Sequence, residues 1–166
     1  INKKKQILFV EQNVIPKTLE DRVELFNKIV TYAKKNNDVE IIIKPRVKLD
    51  KKTLHAPSYH VENLLPKTLP LNLKINHQDI YEIASKVDIV ATVSSTFAME
   101  AIKNNIPTVI ISDVGYTDFF RDSNIVKKFS SIKSFKSKIN LKWNMKSKFQ
   151  KNKRFNLIIK EKFKKE

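Results

Sequence analysis

Three hydroxyl residues in a row, Ser94-Ser95-Thr96, separate an apolar run from a segment of helical pattern, and one carboxylate, Glu100, follows four residues past Thr96. These types at this spacing define a chemistry. The first N–H groups of a helix lack intrahelical partners, and the helix dipole favours negative charge beside them. Hydroxyls next to those donors complete a pocket for a phosphate. Glu100 falls about one turn further along the same face, where its carboxylate could accept two hydrogen bonds from a ribose diol. The spacing therefore suits a nucleotide mono- or diphosphate that carries a sugar. It equally suits an ordinary helix start, with Ser94 or Ser95 as the N-cap and Glu100 as an exposed helix residue.

The segments that must position these residues follow from periodicity. "QILFV" (6–10) and "VEIIIKP" (39–45) are short continuous apolar runs, as expected of strands buried on both faces. Between them, "LEDRVELFNKIVTYAKK" (19–35) repeats apolar residues at three- and four-residue spacing through Leu19, Val23, Phe26, Ile29, Val30 and Ala33, which predicts a helix. Residues 46–70, with Pro57, Pro66 and Pro70, predict a long loop with about one helical turn. Then come a strand (71–76), a short helix (78–87), a strand (88–94), the helix that carries Glu100 (95–105) and a strand (107–112). Strands alternating with helices predict a parallel sheet with right-handed crossovers, helices on both faces, and ligands at the carboxyl ends of the strands. Lys44 and Arg46 sit at such an end. Either could neutralise charge on a departing phosphate, or simply be a solvated loop charge.

Composition narrows the alternatives. The 166 residues suffice for one domain with a real core. No cysteine is present, which excludes disulfides, thiolate metal sites and a cysteine nucleophile. His55, His60 and His77 are too scattered to predict a metal site. The one glycine, Gly115, rules out a Gly-rich phosphate loop. No apolar run approaches the ~18 residues of a membrane span, and "INKKKQILFV" is not a signal peptide. Starting without Met and almost directly on a strand, the chain reads as a fragment of something longer. The net charge of +16 is concentrated: residues 127–166 hold 15 Lys/Arg against 2 Asp/Glu, whereas residues 1–126 hold 18 against 15. We therefore expect a Rossmann-like domain at 1–126 and a basic, helical C-terminal extension at 127–166.

The stretch "DIVATVSSTFAMEAIKNNIPTVII" (88–111) resembles the donor-binding element of GT-B glycosyltransferases: strand, Ser/Thr/Gly turn, helix with Glu, then Pro before the next strand. "IIIKPR", "YHVENLLP" and "IPTVIISDVG" fall in a similar order, and the likeness spans roughly residues 6–126. In particular it resembles uncharacterised bacterial glycosyltransferases of surface polysaccharides. The turn differs from the usual pattern in lacking glycine, and Lys44-Pro45-Arg46 stands where related capsule enzymes carry His-Pro.

The resemblance implies that Ser94, Ser95 and Thr96 hold the donor phosphate and Glu100 the ribose; Lys44, Arg46 and His77 are expected as further donor contacts from their place at the ligand edge of the sheet. The resemblance places Glu11, Gln12 and Asn13 on the cleft edge and makes Glu11 the candidate general base; no catalytic residue is otherwise assigned. The implied substrate is a nucleotide sugar and the acceptor a glycan or lipid-linked glycan. No cofactor is expected, and no metal, since no Asp-x-Asp occurs. An N-terminal GT-B domain would be missing, leaving the fragment alone inactive. The expected location is the cytoplasm, with the basic tail able to rest against an anionic membrane at its inner face. A GT-B-like nucleotide-sugar epimerase would use the same contacts. A basic nucleic-acid-binding module is disfavoured, because aromatics are not interleaved with the basic residues as a stacking platform.

Overall fold

The computed structural model describes residues 4–48, 59–115 and 125–135. The strands are β1 (Lys5–Val10), β2 (Val39–Lys44), β3 (Leu73–Ile75), β4 (Ile89–Thr92), β5 (Thr108–Ile111) and β6 (Val126–Lys127). The helices are α1 (Leu19–Lys35), α2 (Val61–Leu64), α3 (Ile80–Ala84) and α4 (Phe97–Lys103), followed by a 3-10 helix at Phe129–Ser134. The strands form one sheet in the order β3-β2-β1-β4-β5-β6. Every pairing is parallel, with Ile7 opposite Ile41 on one side and Ile89 on the other. This is the doubly wound order, and its direction reverses between β1 and β4, which opens a crevice beyond their carboxyl ends.

Successive residues of each strand serve opposite layers. On one face Ile7, Phe9, Ile41, Ile43, Ile89, Ala91, Val109 and Ile111 pack with α1 and the 3-10 helix. Phe9 meets Phe26 and Phe129 edge-on at centroid distances of 6.2 and 6.4 Å. On the other face Leu8, Val10, Ile42 and Val90 pack with Ile83 and Ala84 of α3 and with Phe97 and Ala101 of α4. Ile110 joins Ala98, Met99 and Ile102 there. Ala98, Ile102 and Val109 are buried, as the apolar run–turn–helix–run order requires.

Local signals set the helix ends. The Thr18 hydroxyl accepts the Asp21 N–H at 3.1 Å and caps α1, with Glu20 and Asp21 in the first turn and Lys34 and Lys35 in the last. Helix α4 ends in a Schellman motif. Asn105 takes φ 58°, its N–H donates to Ile102 O and the Ile106 N–H to Ala101 O, both at 3.0 Å. Pro107 then starts the run into β5.

Two expectations need correction. The sheet continues past residue 126, so a boundary between 126 and 127 falls inside β6. Phe129 and Ile132 beyond it are buried in the core. A two-residue strand bears no legible periodicity. In α1 the predicted stripe holds at Phe26, Ile29, Val30 and Ala33, but Val23 is 36% exposed and Arg22 is buried beside it. The remainder of the basic extension, 136–166, and His55 lie outside the described residues.

Candidate functional site

A cleft of about 550 Å³ lies at the carboxyl ends of β1, β2 and β4. Its walls are Glu11–Ile15 after β1, Lys44–Arg46 after β2, His77–Tyr81 leading into α3, and Ser95–Phe97 with Glu100 at the start of α4. Segments far apart in sequence thus meet at the switch point. The parallel register places all three strand ends on one edge.

The hydroxyl turn is built with a division of labour. Thr92 Oγ1 donates to Val10 O at 2.9 Å and accepts the Ser95 N–H at 3.3 Å, which ties the turn to β1. Ser95 is buried, and its Oγ accepts the Phe97 N–H at 3.2 Å, so it performs the capping. Thr96 is exposed on the cleft wall and makes no capping bond. Ser94 faces elsewhere: its N–H and Oγ both donate to Gln12 Oε1, at 3.2 and 2.9 Å. Ser94 reaches the cleft wall through Gln12, which lines it.

Glu100 is half-buried in the cleft. The Tyr81 hydroxyl donates to its Oε2 at 3.2 Å. Burial pushes the Glu100 carboxyl above the usual carboxylate range, and the Tyr81 hydrogen bond draws it partly back. Tyr81 in turn is pushed up to about 12, by burial first and then by the Glu100 charge, so its proton stays in place as a donor. Its ring leans on Phe97 with centroids 5.7 Å apart. Tyr81 was not singled out from the sequence. A tyrosine within an otherwise apolar helical stripe, with its body in the core and its hydroxyl at the rim, is the signal that was there to use.

Lys44 is half-buried, and burial lowers its ammonium below the ordinary lysine value, with Asp79 opposing. Its Nζ donates to Pro45 O at 3.1 Å. Arg46 is exposed on the same wall. His77 also lines the cleft, and its Nε2 lies 2.9 Å from Glu62 Oε1. It does not cap α3; Asp79 does, accepting the Tyr81 and Glu82 N–H groups. His60 caps α2 instead, with Nδ1 accepting the Glu62 N–H at 3.2 Å and Nε2 donating to Val47 O at 2.8 Å.

Glu11 differs most from its expected part as a free base. It is 3% exposed, and both oxygens are engaged. Oε1 receives Arg22 Nη2 at 2.6 Å and Oε2 the Arg46 N–H at 3.2 Å. Burial pushes its carboxyl above the usual range against the pull of the guanidinium. A carboxylate held on both sides anchors loops. Among the described residues no cluster of His, Cys, Asp or Glu could hold a metal ion, and no helix is long and apolar enough to cross a membrane.

The order of the sheet and the polar cleft at its switch point define a Rossmann-like α/β domain. The chain belongs to the family described as "Putative glycosyltransferase (DUF6716)", whose model matches residues 2–160. Its fold is similar to that of a solved structure described as Thermosulfurimonas dismutans KpsC, beta Kdo 2,4 transferase, with a TM-score of 0.52 at 14% identity. That match covers 78% of this chain and 39% of the other, so the chain spans about two fifths of that relative's length. A structure described as the glycotransferase of kitacinnamycin matches at 12% identity with a TM-score of 0.46, over 76% of this chain and 30% of the other. No curated protein matches the sequence.

Proposed function

We propose that this chain is the donor-binding domain of a GT-B-type glycosyltransferase that moves a sugar from a nucleotide sugar to a glycan or lipid-linked acceptor, in bacterial surface-polysaccharide assembly. The observation that carries the reading is the cleft, where hydroxyls, a carboxylate and two cations converge at the ligand edge of a doubly wound sheet. Its size, about 550 Å³, lies within the range of nucleotide-sized pockets. Thr96 and the start of α4 face the phosphate, and Glu100 accepts from the ribose diol. Lys44 and Arg46 offset the charge that grows on the phosphate as the glycosidic bond breaks. That arrangement supplies electrophilic assistance without a metal ion. His77 stands toward the base. The acceptor and the group that takes its proton would come from a preceding domain.

The test is a thermal-shift screen of the full-length protein against UDP-, CMP-, GDP- and CDP-linked sugars. A ligand at 100 times its Kd adds about 2.7 kcal/mol to the folded state, a shift on the order of 5–10 °C for a domain of this size. No shift with any of the four classes would overturn the reading. Product analysis with the binding donor then separates sugar transfer from isomerisation of the nucleotide sugar.

A further inference from the structure

The cleft is walled by four segments, yet the side chain that ties three of them together lies outside it. Arg22 projects from α1 and is 2% exposed. Its Nη1 donates to the carbonyls of Gln12 (3.2 Å), Asn13 (3.4 Å) and Pro16 (3.2 Å). Its Nη2 donates to Gln12 O at 3.1 Å and to Glu11 Oε1 at 2.6 Å. The chain leaving β1 is thereby wrapped around one guanidinium. Two of the residues it grips pass the constraint on. Glu11 Oε2 accepts the Arg46 N–H and fixes the turn after β2. Gln12 Oε1 accepts both donors of Ser94 and fixes the turn after β4.

We infer that Arg22 is a positioning residue for the cleft, holding the loop after β1 directly and the turns after β2 and β4 through Glu11 and Gln12. This rests on the nucleotide-sugar reading above for its functional consequence, though not for its geometry. A buried ion pair is an expensive way to hold a helix against a sheet, since apolar side chains of similar volume stabilise as well or better. What apolar side chains cannot do is satisfy inward-facing loop carbonyls, which need donors once buried. The planar guanidinium supplies several in a fixed fork, and lysine does not.

The experiment separates positioning from bulk stability. In the full-length protein, the double variant Glu11→Gln/Arg22→Met removes both buried charges at once and avoids stranding either. The carbonyls of Gln12, Asn13 and Pro16 lose their donor, so the variant should melt below wild type, and affinity and exchange are read at a temperature where it is fully folded. Affinity for whichever of the UDP-, CMP-, GDP- or CDP-sugars binds wild type should nevertheless fall roughly ten- to a hundredfold, as expected when binding groups are misplaced. Amide hydrogen exchange should accelerate at Ser94, which touches neither replaced side chain; at Arg46, whose N–H bonds Glu11 directly, it is read in Arg22→Lys. Should the double variant fail to fold, Arg22→Lys, which keeps the charge without the fork, is read by the same two measures. Wild-type exchange at Arg46 and Ser94 together with wild-type affinity in a folded variant overturns the inference. If wild type binds none of the nucleotide sugars, the donor reading fails, and the exchange rates at Arg46 and Ser94 alone still decide the role of Arg22.

Discussion

Replacing Glu100 with alanine tests the centre of the cleft. The carboxylate is half-buried, and one oxygen already accepts the Tyr81 hydroxyl at 3.2 Å. Part of its desolvation is therefore borne in the unliganded protein, so little of a ribose contact is lost to dehydration on binding. Hydrogen bonds to a charged group are each worth about 1.5–3 kcal/mol. Allowing for the share already taken by Tyr81, the loss on Glu100→Ala should be about 1–3 kcal/mol, or roughly 5- to 150-fold in Kd. Folding stability should change little, because alanine favours a helix and the half-buried Tyr81 hydroxyl can turn to water. The pH dependence adds a second arm. The folded pKa of Glu100 is raised above its unfolded value by burial. For folding, its contribution is then full below the unfolded pKa and lost as pH rises through the folded one. For binding the sign reverses, since a diol needs the ionised acceptor. Wild-type affinity should fall on acidification starting above the ordinary glutamate range, and Glu100→Gln should not follow that limb. Titration calorimetry of the nucleotide sugar across pH measures both. Equal affinity in wild type and Glu100→Ala, or the same acid limb in Glu100→Gln, refutes the ribose contact.

Three further outcomes are expected. Tyr81→Phe removes the hydrogen bond that draws the Glu100 carboxyl downward, so the acid limb of nucleotide binding should move to still higher pH in the same calorimetric titration. Asn105 occupies the left-handed region at φ 58°; Asn105→Gly should leave the melting temperature level or raise it, whereas Asn105→Val should cost about 1–2 kcal/mol by thermal unfolding. The 15 Lys/Arg against 2 Asp/Glu of residues 127–166 should bind the full-length protein to anionic vesicles at low salt, each near-surface cation adding about 1 kcal/mol; truncation after Leu141 should abolish co-sedimentation, and equal binding to neutral lipid would remove the membrane role.

Legibility from sequence followed the strength of the local pattern. Continuous apolar runs disclosed β1 and β2, because strands buried on both faces need no alternation. The helix ends at Thr18 and Asn105 rest on local chemistry, a hydroxyl cap and a left-handed asparagine. The β4–α4–β5 segment was legible because three separate signals coincide there: an apolar run, hydroxyls and a helical stripe. Arg22 was hidden for a physical reason. Periodicity treats a charge as solvent-facing, and the Glu11 carboxylate with the carbonyls of residues 12, 13 and 16, all gathered after β1, makes its burial tolerable. His77, between β3 and α3, and Glu62 of α2 are partners, and no sequence spacing encodes such a contact.

The scarcity of glycine bears on how this cleft must work. A Gly-rich turn lets phosphate approach the backbone closely, because no Cβ stands in the way. Here the turn after β4 is Ser94-Ser95-Thr96, and the one glycine of the chain, Gly115, lies after β5. The backbone donors at the start of α4 are partly used as well, since the Phe97 N–H is satisfied by Ser95 Oγ. On the donor-site reading proposed above, recognition of a phosphate passes from main chain to side chains, to Thr96 on one wall and to Lys44 and Arg46 on the other. Side chains carry more conformational freedom than a rigid backbone nest, so their value as a site depends on how firmly the loops beneath them are held. That requirement connects the two unusual features of the molecule. A cleft that binds through side chains needs rigid loops, and a buried guanidinium spanning the carbonyls after β1 provides the rigidity that a glycine-poor turn cannot replace by close approach.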